Sequence, residues 1–127
     1  MVNINWQFQA AIPGGPAFTL NLPNVSVDGY DVVAVTIPAG KTLAVPIQPS
    51  SPSGDVVFLV VSSSQYDPGL TYTVDAVGVA HAVDGPHLLV GSGAVGLVNG
   101  AASPQTLTFD NTLANDIDVQ VVVGRKI

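Results

Sequence analysis

The sequence predicts a single all-β domain spanning residues 1–127, an antiparallel β-sandwich of jelly-roll type with about 8–10 short strands. Three features point there. The charged helix formers Glu, Lys and Arg are nearly missing, with no Glu and only Lys41, Arg125 and Lys126 as bases. Apolar and polar residues alternate with period two over stretch after stretch, and no segment of ten or more residues keeps a helical period. Pro, Gly and Asp-Gly signals punctuate these stretches about every 8–12 residues, the spacing of a sandwich.

Asn3 to Ala10 reads as the first strand, with Ile4, Trp6, Phe8 and Ala10 on one face and Asn3, Asn5, Gln7 and Gln9 on the other. Core packing accounts for Trp6 in that arrangement. Pro13-Gly14-Gly15-Pro16 breaks this strand from the next, in which Phe18, Leu20 and Leu22 alternate up to Pro23. Asp28-Gly29 is a hairpin-turn dipeptide, and Tyr30 to Ile37 follows as a strand. Leu43, Val45 and Ile47 share a face of the strand after it. Pro46 cannot donate to a ladder, which places that strand at an edge or on a bulge. Residues 49–54 form a loop, and Val56 to Val61, apolar on both faces, reads as a central strand. Asp67-Pro68-Gly69 has the chemistry of a turn, after which Leu70, Tyr72, Val74 and Ala76 alternate with polar residues. A turn at Asp84-Gly85-Pro86 and strands at His87–Val90, Ala94–Val98, Gln105–Phe109 and Ile117–Val123 complete the series.

Only 9% of residues are charged, against about 25% in an ordinary globular domain, and the net charge is −6. Three bases cannot line a phosphate backbone, so nucleic acid is excluded as a partner. The longest purely apolar run, Val56 to Val61, is far short of the roughly 20 residues of a membrane helix, so no membrane insertion is expected. Met1 to Ala10 shows no signal-peptide pattern, which leaves localisation open. Without Cys there are no disulfides, thiolate metal sites or cysteine nucleophiles.

A surface this poor in charge is expected to be covered by copies of itself. Few strands carry the Lys or Glu that blocks edge pairing, and the strand at residues 3–10 is an element that two copies can exchange. The expected function is therefore that of a non-enzymatic, self-assembling homo-oligomeric β-domain, such as a virion decoration, tail or shell-type subunit. The alternative is a carbohydrate- or small-ligand-binding module. Tyr66, beside Ser62-Ser63-Ser64-Gln65 and Asp67, is its best exposed aromatic, which makes Tyr66 and Asp67 the candidate ligand residues. A third reading is a small metal-dependent jelly-roll enzyme. It places His81 and His87 opposite each other on a hairpin, with Asp84 between them as an oxygen ligand. Turn-flanking histidines are the simpler account of that pair.

The pairs Asp28/Asp31 and Asp116/Asp118 suggest calcium, but structural roles explain them more simply. Gly91, Gly93 and Gly96 match a dinucleotide string without the expected acidic residue, and read as a tight turn. No cofactor is implied. The basic pair Arg125-Lys126 reads by default as a solubilising tail.

Overall fold

Valine-rich stretches of period two bury one face only by pairing into sheets, and this chain does so in two four-stranded antiparallel layers. The computed structural model describes residues 2–20, 24–49, 54–75, 77–98 and 104–127. Its elements in order are β1 (Val2–Ile4), β2 (Phe8–Ala11), β3 (Ala17–Leu20), β4 (Val25–Val27), β5 (Gly29–Ile37), β6 (Thr42–Pro46), β7 (Asp55–Ser63), β8 (Asp67–Val74), β9 (Val77–Val83), β10 (His87–Val90), α1 (Ser92–Val95), β11 (Thr106–Asn111) and β12 (Ile117–Lys126). One sheet runs β10-β7-β12-β5 and the other β6-β11-β8-β9.

The pairing is nested. Of the strands from β5 onward, β5 pairs with β12, β6 with β11, β7 with β10 and β8 with β9, all antiparallel. Contacts of β12 with β7 and of β11 with β8 close the two sheets. First with last, second with second-last, and so inward, is a long hairpin rolled into a sandwich: a jelly roll. Leu59, Val61, Val119 and Val121 from one sheet meet Leu70, Tyr72, Val74, Leu107 and Phe109 from the other in one buried core. The expected positions of two strands hold: β7 is interior to its sheet, and β6, which carries Pro46, is an edge.

Several expectations give way. The strand expected at residues 3–10 is two strands, because β1 pairs with β4 whereas β2 pairs with β3. The Pro13-Gly14-Gly15-Pro16 break is the turn of the β2–β3 hairpin, closed by Gly15 N–H donating to Ile12 O at 2.8 Å, with Gly14 at a φ of 74°. Asp28 is a bend rather than a hairpin turn, since β4 and β5 pair with different strands. Asp67-Pro68-Gly69 lies inside β8 as an irregularity of register, held by the Asp67 carboxylate accepting from Gly69 N–H at 2.8 Å. The strand expected at Ala94–Val98 is instead the single turn α1 and the turn after it, entered through Gly91 at a φ of 94°. Leu22, Pro23, residues 50–53 and Ala76 lie outside the described residues.

The C-terminal bases are not a free tail. β12 runs through Lys126 in the middle of its sheet, and the buried Arg125 pairs with the buried Asp31, Nη1 to Oδ2 at 2.6 Å. Beside it, Gly124 makes room for a third layer. A Cβ there would stand 2.8 Å from Ile4 Cδ1 and 2.9 Å from Val27 Cγ1, so the β1–β4 ribbon lies against β12 only because that side chain is missing.

Candidate functional site

The N-terminal segment builds an apolar surface. The β2–β3 hairpin pairs with neither four-stranded sheet. Phe8 and Phe18 lie on it with ring centroids 5.9 Å apart, yet they remain 41% and 51% exposed, and Ile12 and Leu20 are exposed with them. Trp6, expected in the core, is only half-buried, and Phe8 is exposed; breaking the strand at residues 5–7 removes the common face that both were to share. Trp6, Phe8 and Leu20 instead line one side of a groove of about 520 Å³, with Pro86, Leu88, Val90 and Ala94 opposite. No ionisable side chain occurs before Asp28, so the whole N-terminal side of this surface is uncharged.

A second concavity, of about 440 Å³, lies on the outer face of the β10-β7-β12-β5 sheet. Its lining mixes Ala34, Val35 and Val119 with hydroxyls, an amide and a carboxylate: Thr36 on β5, Ser62 and Ser63 at the end of β7, Ser64 just after it, and Asp118 and Gln120 on β12. The register explains the grouping, because Asp118 stands opposite Thr36 and Gln120 opposite both Ala34 and Ser62. The Thr36 hydroxyl donates to Asp118 Oδ1 at 2.6 Å, and Asp118 N–H donates to Ser64 Oγ at 3.0 Å. Tyr66 is 40% exposed and outside this lining, and its hydroxyl accepts at 3.3 Å from the N–H of Ser63, which is part of it. Asp67 is turned away, its Oδ1 being engaged by the N–H of Gly69. Of the two expected ligand residues, neither lines the concavity: Tyr66 touches it through Ser63 N–H, while Asp67 serves its own backbone. Thr36 and Gln120 went unnoticed as candidates, and Asp118 was weighed only as one of an acidic pair, because strand alternation shows only that they face solvent.

His81 and His87 do not face each other across a hairpin. β9 belongs to one sheet and β10 to the other, so Asp84-Gly85-Pro86 is a crossover between layers. Both imidazoles flank Tyr72, each with its centroid 5.5 Å from the phenol ring. His81 Nε2 lies 2.7 Å from the carbonyl oxygen of Val98 and must donate to it. His87 Nε2 donates to the Ala82 carbonyl at 3.1 Å, which leaves Nδ1 to accept the Tyr72 hydroxyl proton at 2.7 Å. Burial pushes the Tyr72 phenol up to about 12. Three ring nitrogens that could bind a metal are thus spent on protein partners, and among the described residues no three His or Asp side chains converge as ligands. The cluster ties the two sheets together.

Three further acids are engaged internally. Asp28 accepts from Ile127 N–H, Asp116 from Ala39 N–H, and Asp75, at a φ of 52°, from the N–H groups of Gln105 and Thr106. These contacts fasten turns to strands. No family model matches the chain, and neither does a curated protein or a solved structure.

Proposed function

We propose that this chain is a non-enzymatic, self-assembling jelly-roll subunit of the shell, tail or decoration kind, and that its N-terminal hairpin and groove are where a second copy docks. The observation that carries the proposal is the uncharged β2–β3 hairpin, which pairs with neither sheet and leaves Phe8, Ile12, Phe18 and Leu20 in water. With Leu88 these side chains expose roughly 470 Å², taking about 200 Å² for each large apolar side chain when free. That is about half of the roughly 800 Å² that each partner gives to a standard interface, an apolar centre that needs only a polar rim. The low charge supports the same reading. Two copies carrying −6 each repel one another over most of their surfaces, and an uncharged patch is where they can approach. Jelly rolls host both capsid and lectin domains, so the fold alone favours neither class.

The test is solution mass by light scattering over a dilution series, at low and high salt. The wild-type chain is expected to form a discrete oligomer, no weaker at high salt because its contact is apolar. Phe8→Ser combined with Phe18→Ser is expected to give a monomer that still unfolds cooperatively, since the hairpin carrying both side chains pairs with neither four-stranded sheet. A wild-type monomer at every concentration, or an oligomer indifferent to both substitutions, overturns the proposal.

A further inference from the structure

We infer that the trough on the outer face of the β10-β7-β12-β5 sheet is a binding site for a neutral sugar. Its volume, about 440 Å³, falls within the roughly 300–1,000 Å³ of small-molecule sites. Its chemistry is that of polyol recognition. A sugar offers vicinal hydroxyls, each both donor and acceptor, and asks for a mixed lining of the same kind.

Asp118 Oδ1 is oriented by the Thr36 hydroxyl, while Oδ2 accepts from no other described residue and is left to take sugar hydroxyls. The Gln120 side chain, exposed on the neighbouring outward position of β12, makes no hydrogen bond among the described residues and supplies both a donor and an acceptor. Ser64 Oγ accepts from Asp118 N–H, so its own proton is free to donate. Tyr66, joined to the lining residue Ser63 by the hydrogen bond its hydroxyl accepts, has a partly exposed ring on which the aliphatic face of a pyranose reaching past the serines can pack. Asp118 and Gln120 sit on the interior strand β12 between β5 and β7, and Ser64 in the following connection is tied to Asp118, so this part of the site is preformed. Charge selects the class. Among the described residues that line the trough Asp118 is the only ionisable one, and the molecule is strongly acidic, which disfavours uronic or sialic acids.

The site is independent of the assembly surface, since Trp6, Phe8, Leu20 and Leu88 line a different groove. An oligomer would nevertheless present several copies of it, raising avidity for a repeating glycan. The experiment is saturation-transfer NMR followed by calorimetry on the full chain. The probes are glucose, galactose, mannose, N-acetylglucosamine and their short oligomers, with sialyllactose as the anionic comparison.

At least one neutral sugar is expected to bind and sialyllactose to bind more weakly. Asp118→Asn, which keeps the shape, is expected to weaken binding about tenfold, the scale of one lost charge-assisted hydrogen bond. Gln120→Ala and Tyr66→Ala are expected to weaken it severalfold, and Thr108→Val on the other sheet to leave it unchanged. The Phe8→Ser/Phe18→Ser protein is expected to keep the site affinity, which separates this inference from the assembly proposal. No transfer to any neutral sugar, or binding unchanged in Asp118→Asn, overturns it.

Discussion

Removing the guanidinium from the Asp31–Arg125 pair is expected to be among the costliest single changes in this protein. Arg125 Nη1 lies 2.6 Å from Asp31 Oδ2, and the two side chains are 4% and 9% exposed. Arg125→Ala strips a buried carboxylate of its cation, which costs about 3–5 kcal/mol, a large share of the 5–15 kcal/mol that holds a typical domain together. With a urea m-value of about 2 kcal/mol/M, the unfolding midpoint is expected to fall by roughly 2 M. The converse matters as much. Taking two ions out of water is itself expensive, so Asp31→Leu combined with Arg125→Met is expected to recover most of the loss, in contrast to either change alone. Gly29 belongs to the same device, because a Cβ there would stand 2.9 Å from Arg125 Nη2 and displace the guanidinium. Urea unfolding followed by circular dichroism, run as a double-mutant cycle, decides the matter. A midpoint for Arg125→Ala within about 0.3 M of wild type, less than 1 kcal/mol on that m-value, refutes the assignment of this pair to the interior.

Two further outcomes are expected. Asn111 is fully buried, donates from Nδ2 to the carbonyls of Ile37 and Asn115 at 3.1 and 2.8 Å, and accepts at Oδ1 from Leu113 N–H. Asn111→Ala orphans those groups and is expected to cost about 3 kcal/mol, read as a melting temperature lower by roughly 10 °C, whereas a shift under about 2 °C contradicts the pin. Tyr72 titrates near 12 in the folded protein against about 10 when unfolded, so its contribution is whole below pH 10 and is lost as pH rises through 12. Wild type is therefore expected to lose up to about 2.7 kcal/mol over that window beyond what Tyr72→Phe loses; parallel pH–stability curves for the two proteins contradict this.

Much of the architecture was legible from local chemistry. Strand-forming residues between turn signals located β5, β7, β10 and β12 closely, β7 from an apolar run instead of alternation, since these signals are properties of the residues themselves. Pro46 announced an edge because a missing N–H is a local fact that any central position would expose. Tyr66 was recognisable as an exposed aromatic from its polar neighbours, and it is one. The failures were local conflicts settled by distant partners. Residues 3–10 alternate well enough for one strand, yet β1 found β4 and β2 found β3, and the chain between them had to break. Asp67-Pro68-Gly69 carries turn chemistry, but pairing with β9 keeps it inside a strand as an irregularity.

The sequence by itself determined an all-β, charge-poor chain with an uncharged N-terminal segment, because composition and alternation act residue by residue. Only the tertiary structure decided which strands are neighbours, because a period-two pattern looks the same whichever strand it pairs with. That choice sent His81 and His87 to different sheets around Tyr72 and put Arg125 beside Asp31, ninety-four positions away. It also gathered Thr36, Ser64, Asp118 and Gln120, which share no local motif, into one trough, because antiparallel register sets side by side residues that the chain holds far apart.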